Sequence, residues 1–459
     1  MSIACVALLT ACGPGTSGMS TDGGSSSASS GTGAEATTGA SPTTGAATGT
    51  GQESSGGPKP AVCGDGVLDD GELCDDGDDD ESDGCNAACE PVAAIAWTYT
   101  HNGAADKTDA AVGVAVDKTG RIIVVGAETG KNRDGLIIAL SPEGKELWRR
   151  TYDGLAGRED YFLDVVLADD GTIFVAGWEE VAQDDRAAVV RAFDPDGGEL
   201  WRFAAEPPKP GYADVEGLAL ADGALYSVGS ERGLESVEVV VRRHDLETGA
   251  AAWRTATLAG WKTASGQGIT ATAERLVVVG YVQDNNQILP LTVVLDPAGA
   301  IVSEAIQEIP WGFWYDVVPI GAAGDLMLVG RTFMPGVLDR DVIVRRVDAD
   351  FSEKWTHIYE HEVLEDMGNG VAVGADEAVF VAGAVTTVLG QTEETYDILA
   401  ARYTGDGALL WTDVHDHPEA HDDDYGNAAA AGPDFFVLAG YETTPDHGVD
   451  LWVRRYNDG

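Results

Sequence analysis

The sequence predicts an all-β fold: a seven-bladed β-propeller of four-stranded antiparallel blades, closed by an N-terminal strand and preceded by a small disulfide-rich module and a disordered linker. Three observations carry this. First, an apolar run ending in glycine recurs seven times: "RIIVVG", "TIFVAG", "ALYSVG", "RLVVVG", "DLMLVG", "AVFVAG" and "FFVLAG". Its glycines are Gly126, Gly177, Gly229, Gly280, Gly330, Gly383 and Gly440, spaced 51, 52, 51, 50, 53 and 57 residues apart. Second, the runs between them are short, rich in Val, Ile and aromatics, and parted by Asp-Gly and Pro-Glu-Gly turns, which marks antiparallel strands. Third, four such runs fill each repeat and no stretch keeps a helical period, so the repeat is a blade rather than a helical solenoid unit.

Within a repeat the glycine run is the second strand. A third follows, as in "GLIIALSPEG" or "DVIVRRVDAD", and a fourth often holds tryptophan: Trp148, Trp201, Trp253, Trp355 and Trp411. The last repeat ends on "VDLWVRRYNDG" without a fourth strand, while "AIAWTYTHNG" (94–103) stands alone before the first. Trp97 matches Trp148, so the N-terminal segment is expected beside "VDLWVRRY" as the missing outer strand. That pairing leaves no open edge where the ends meet. The tryptophans are expected to wedge between neighbouring blades, since each can bury about 150–250 Å².

The turns are unequal. First-to-second and third-to-fourth connections are tight ("ADDG", "SPEG"), whereas second-to-third and fourth-to-first loops are long ("VTTVLGQTEETY", "HDHPEAHDDDY"). In an antiparallel blade both long classes emerge on one side, and binding tends to sit on loops carried by a rigid scaffold. Just inside the fourth-to-first loops lie Asp164, Glu216, Gln267, Asp316, Asn369 and Asn427, with Val112 in the first repeat. These six are expected as a polar ring at the channel mouth, able to hold a cation or water, or to cap the neighbouring backbone. His415, His417, His421 and Asp422 in one loop form a candidate divalent metal set, because imidazole and carboxylate together suit such ions. His357 and His361 precede a comparable loop.

With 77 Asp and Glu against 28 Lys and Arg, the 459-residue chain carries a formal charge of -49. Phosphate contacts need a basic surface, so a nucleic-acid partner is excluded; divalent cations or basic partners suit the charge better. All six cysteines precede residue 90. Residues 1–12, "MSIACVALLTAC", read as a lipoprotein signal: "LTAC" is similar to a lipobox, which makes Cys12 the lipidated residue, although no Lys or Arg precedes the apolar run. Residues 13–61 are nearly all Gly, Ser, Thr, Ala and Pro. They cannot bury enough apolar surface to offset chain entropy and are expected to form a flexible tether.

Residues 62–91 contain "CGDGVLDDGELCDDGDDDESDGCNAACE", with Cys63, Cys74, Cys85 and Cys89. This pattern resembles the Myxococcus cysteine-rich repeat of secreted and surface bacterial proteins. The resemblance implies an extracellular module with two disulfides, of open pairing order. A segment this short needs such cross-links in place of a core. Its twelve acidic residues and no basic one suit Ca²⁺, which takes six to eight oxygens.

Residues 94–459 resemble bacterial surface propellers and, through "LETGAAAW" and "DPDGGELW", more distantly the quinoprotein propellers and their outer-membrane assembly relatives. The cysteines that a quinone site calls for are missing from the repeats. No G-x-S-x-G, H-E-x-x-H or P-loop is present. The expectation is a monomeric outer-membrane or cell-surface lipoprotein, held by its lipid alone, with no required cofactor beyond calcium. Its propeller is expected to act as a non-catalytic binding or scaffold module for a protein or polysaccharide. The alternative is a carbohydrate-active hydrolase or lyase at the channel mouth, walled by Trp178, Trp261, Trp311 and Trp314.

Overall fold

The structure, a computed structural model, describes Cys63, Cys74, Asp75 and residues 84–457, apart from 184, 207–210, 233–235, 286, 310, 334–339, 362–363 and 390–392. Cys12, the tether 13–61 and most of the acidic stretch of the cysteine module lie outside the described residues.

The described chain is built of strands, with one short 3₁₀ turn at Ala375–Glu377. A first sheet holds β2 (Ala110–Val116), β3 (Ile122–Thr129), β4 (Arg133–Leu140) and β5 (Glu146–Tyr152) in that order. A second holds β6 (Asp160–Leu167), β7 (Ile173–Ala182), β8 (Asp185–Phe193) and β9 (Glu199–Ala205). Next come β10 (Gly217–Ala221), β11 (Ala224–Arg232), β12 (Val237–His244) and β13 (Ala251–Thr257), then β14 (Thr263–Ala271), β15 (Leu276–Gln283), β16 (Ile288–Leu295) and β17 (Ile301–Ile306). These two groups join into one eight-stranded sheet through a single parallel pairing, Val237 with Thr263. Two further four-stranded sheets follow: β18 (Phe313–Ile320), β19 (Asp325–Phe333), β20 (Arg340–Val347) and β21 (Glu353–Tyr359); then β22 (Met367–Val373), β23 (Val379–Leu389), β24 (Glu393–Tyr403) and β25 (Leu409–His415). The last sheet is β26 (Tyr425–Ala431), β27 (Phe435–Thr444), β28 (Gly448–Asn457) and, outermost, β1 (Ile95–His101).

β1 therefore pairs antiparallel with β28, Thr100 opposite Trp452 and Trp97 opposite Arg455. The backbone N–H of Asn457 donates to Ala94 at 2.8 Å, and Arg454 Nε donates to the Thr98 hydroxyl at 3.0 Å. The first strands touch in series: β2 with β6, β6 with β10, β10 with β14, and on through β18 and β22 to β26, which also touches β2.

Burial follows from having a neighbour on each side. Second and third strands are nearly continuous apolar runs because both of their faces are covered; Leu136 to Leu140 of β4 are fully buried. Cores lie between adjacent sheets: Val124, Ile138, Val437 and Val453 share one cluster, and Val125, Ile137, Phe162 and Val175 another. Fourth strands are the most exposed: β5 is largely exposed, and β17 is exposed along all but its last residue.

Tryptophans lock most four-strand groups to the next. Trp97 Nε1 donates to the Pro142 carbonyl at 2.9 Å, Trp201 Nε1 to Leu246 at 2.8 Å and Trp355 Nε1 to Gly405 at 2.9 Å. In each case the acceptor is in the third-to-fourth turn of the following four-strand group. The indole lies over that turn's glycine: a Cβ on Gly144 would stand 2.6 Å from Trp97, and one on Gly407 2.6 Å from Trp355. Both glycines have φ near +80 to +90°, at 78° and 91°, a conformation glycine adopts without strain. β17 has Ser303 where β13 has Trp253, and the next turn has Phe351 (φ 63°) in the glycine position. Where the indole is lost, a side chain fills the turn.

The cysteines pair Cys63–Cys89 and Cys74–Cys85. Pro91, Val92 and Ala93, leaving that module, line a cleft with Leu410, Trp411 and Thr412. Trp411 thus meets this segment where other fourth-strand tryptophans meet a turn.

Candidate functional site

The long connections converge on the N-terminal ends of the first strands. There the strands carry an extra residue. Pairing slips between Ala111 and Gly113, Gly266 and Gly268, Trp314 and Asp316, Gly368 and Gly370, and Gly426 and Ala428. These are β-bulges, two residues opposing one. They explain the recurring glycines, which lie within the second strands rather than at their ends. A Cβ on Gly126, Gly177 or Gly440 would overlap the carbonyl oxygen of Ala110, Tyr161 or Tyr425 on the bulged strand.

The six polar residues read from the sequence do not share one position. Gln267, Asn369 and Asn427 are the bulged residues themselves, and Glu216 immediately precedes Gly217, which pairs with Val228. Asp164 and Asp316 stand one residue further on, past the bulges at Leu163 and Tyr315. The slip adds a residue that repeat alignment does not register.

Four of the six place one polar atom each on the neighbouring first strand, and Asn369 Oδ1 stays buried without a partner. Asp164 Oδ2 accepts from Leu218 N–H at 2.7 Å and Oδ1 from Val165 N–H at 2.7 Å. Asp316 Oδ2 accepts from Val371 N–H at 3.0 Å, and Oδ1 from Val317 N–H at 2.7 Å. Asn369 Nδ2 donates to Gly426 at 2.9 Å, and Asn427 Nδ2 to Ala111 at 2.8 Å. The last bond links β26 to β2. Burial pushes Asp164 up to about 7 against the pull of these N–H donors, and Asp316 adds repulsion; burial also raises Asp316.

Glu216 is placed differently. Burial and then the Asp214 charge hold it well above the ordinary carboxylate range, opposed by Arg186. Burial pushes Asp214 to about 6, against the pull of Ser230 N–H, which donates to it at 2.7 Å. Tyr212 and Tyr281 are both raised, chiefly by burial; Asp214 acts next on Tyr212, and Tyr315, then Glu216, on Tyr281. Tyr315 stacks on Phe313 at 5.7 Å, and Arg331 lies 4.3 Å over the Phe313 ring. Asp214, Glu216, Tyr281 and Tyr315 thus form an acidic, aromatic patch. Sequence reading named only Glu216 here. The missed signal is "DVEG": acids two apart in an extended segment face the same way.

In the histidine loop each of the four residues read from the sequence has a local partner. His415 Nε2 pairs with Glu442 at 3.2 Å and its ring stacks on Trp452; His421 Nδ1 pairs with Asp416 at 2.5 Å; His417 Nδ1 accepts from Ala420 N–H at 3.2 Å; Asp422 Oδ1 accepts from Asp423 N–H at 2.9 Å. Each imidazole serves its own local partner. The aromatic walls are corrected: Trp178 and Trp314 are 2% and 1% exposed, so they are core. Trp261 and Trp311 remain half-buried in loops.

No family model matches the chain, and no curated protein matches it. Solved structures do resemble it. The β-propeller domain of the Trilobed protease from Pyrococcus furiosus, described as having an open velcro topology, is 12% identical over 78% of this chain and 94% of that one, with TM-score 0.43. A protein of unknown function from Dyadobacter fermentans is 15% identical, over 78% of this chain and 99% of that one, with TM-score 0.44. Chaetomium thermophilum Sqt1, solved bound to the N-terminus of ribosomal protein L10, is 11% identical over 77% of this chain and 98% of that one, with TM-score 0.42.

Proposed function

We propose that residues 94–459 form a closed seven-bladed propeller that acts as a non-catalytic binding or scaffold module, displayed on the bacterial outer membrane through lipid on Cys12, the tether 13–61 and the cysteine module 62–91. The chain works as a monomer, and its ligand is a protein or a polysaccharide. The β1–β28 pairing and the serial contacts of the first strands support the closed ring. The observation that carries the binding role is the patch of Asp214, Glu216, Tyr281 and Tyr315 beside first-strand residues that each cap a neighbouring backbone group. Half-buried aromatics with a few polar groups among loops are the makings of a ligand site.

Glycan and peptide arrays probed with the secreted form, with and without chelator, test this reading. Tyr315→Ala and Glu216→Gln are expected to abolish a captured ligand's binding, while Asn427→Asp leaves it. Equal retention by all variants counts against the patch. The neighbouring acids Asp214 and Glu216 give the alternative, a carbohydrate-active hydrolase or lyase, its specific support: adjacent carboxyls with raised proton affinity are what acid–base chemistry uses. Turnover of a polysaccharide that Glu216→Gln eliminates would favour it. Cys12→Ser is expected to release the chain from membranes, and unchanged membrane association would contradict the anchor.

A further inference from the structure

A second acidic group lies away from the first-strand bulges, where the first two sheets meet. Asp134 is near the start of β4, Asp153 follows β5, and Asp160 opens β6. One carboxylate oxygen from each falls within 4.8 Å of the others. Asp160 is 2% exposed, Asp134 is half-buried and Asp153 is exposed. The backbone N–H of Gly154 donates to Asp160 Oδ2 and fixes that carboxylate. Asp160 Oδ1 and Asp134 Oδ1 are both buried with no hydrogen-bond partner. A buried oxygen without a donor is costly, and like charges this close add repulsion.

The chain carries its own comparison. The same three positions recur as Asn102, Asp109 and Asp450; as Glu360, Asp366 and Asp341; and as Asp416, Asp424 and Asp397. At each of these the first-strand aspartate has both oxygens satisfied by backbone. Asp109 accepts from Gly103 N–H at 2.5 Å and Thr129 N–H at 2.8 Å; Asp366 from His361 N–H at 2.9 Å and Thr386 N–H at 3.0 Å; Asp424 from His417 N–H at 2.9 Å and Thr443 N–H at 2.6 Å. At Asp160 the equivalent donor, Glu180 N–H, goes to the Glu159 carbonyl at 2.8 Å, which leaves Oδ1 bare. The loop position is neutral in Asn102 and paired with His421 in Asp416, while Glu360 keeps a carboxylate there; Asp397 and Asp450 share the bare Oδ1 of Asp134, so it is the bare Oδ1 of Asp160 that sets this group apart. Only the Asp134, Asp153 and Asp160 group combines three converging carboxylates with an unsatisfied buried oxygen among the described residues.

We propose that Asp134, Asp153 and Asp160 bind a divalent cation of the calcium class between the first two sheets. The ligand set is all hard oxygen, which suits Ca²⁺ or Mg²⁺ over Zn²⁺ or Cu²⁺. The exposed Asp153 leaves an approach from solvent, and water completes a coordination shell that Ca²⁺ tolerates in irregular form. Bound there, the cation ties the start of β4 to the start of β6 and the loop between β5 and β6.

The test is calorimetric titration of CaCl₂ and of MgCl₂ into the full chain after chelator treatment, comparing wild type with Asp134→Asn and Asp153→Asn. Asp153 is on the surface, so its variant keeps the test valid where another fails to fold. The expected result is one fewer Ca²⁺ per chain, or at least tenfold weaker binding at one site, in both variants, with a smaller calcium-induced rise in Tm. Identical calcium stoichiometry, affinity and Tm response in wild type and variants overturns the proposal, and so does a wild type that binds neither ion. Asp134→Asn raising Tm in chelator, with calcium inert towards wild type, would identify a merely repulsive acidic cluster.

Discussion

Gly177 lies under the bulge at Leu163, and a methyl group there would overlap the Tyr161 carbonyl oxygen. The obstacle is backbone on an inner strand, so it cannot swing aside. Gly177→Ala is expected to destabilise by about 3 kcal/mol, at the upper end of overpacking costs. Gly260→Ala, with no heavy atom within 4 Å of its Cβ, is expected to change stability by less than about 0.5 kcal/mol. Urea unfolding of the two variants checks this; equal effects would remove the steric account of the repeated glycine. The glycines were legible in the sequence as punctuation, but their reason was not, because the bulge they face sits on another strand. The same hidden bulge put Asp164 and Asp316 one residue out of step with Asn369 and Asn427.

At the level of elements, most four-strand groups are fastened to the next by an indole on one fourth strand and a turn on the following group. Trp201 is 9% exposed, bonds to Leu246 and packs over Gly249. Trp201→Ala is expected to cost about 3–5 kcal/mol, in the range for a large aromatic removed from a core, and a loss below about 1 kcal/mol would show that the contact is peripheral. Gly249→Ala is expected to be damaging as well, since its φ is 70° and its Cβ would meet the Trp201 ring. The sequence made the tryptophan period plain, and with it the inter-sheet role. Its partners were less visible, because turn glycines look alike whether or not an indole lies on them; Ser303 with Phe351 shows the two changing together. The partners of the histidine loop were hidden for a related reason. Composition brought His415, His417 and His421 together, but strand pairing gave His415 to Glu442 and the turn gave His421 to Asp416.

Over the whole molecule the acid excess has a thermodynamic consequence. Burial pushes Asp160, Asp164 and Asp424 up to about 7, and Asp214 and Asp450 up to about 6. Their unfolded values lie near the model-peptide value of about 4. Between those limits the native state binds more protons than the unfolded chain, so stability falls as pH rises through that window and levels off above it. Tm in chelator is expected to be higher at pH 5 than at pH 8; the reverse order would mean these acids are not held protonated. Mutual repulsion from the net charge of -49 acts in the same direction. Calcium at Asp160 would weaken the dependence by replacing protons there.

The architecture was the most legible property, since period, turn chemistry and strand count agreed along the chain. The proposed ring closure rests on β1 lying against β28. Hydrogen exchange measured by mass spectrometry on the intact protein reads that directly. The account predicts that amides of residues 96–101 are protected to the same degree as those of the other outer strands, β5 and β9. Exchange of 96–101 within seconds, at the rate of a free tail, while β5 and β9 stay protected, would contradict it.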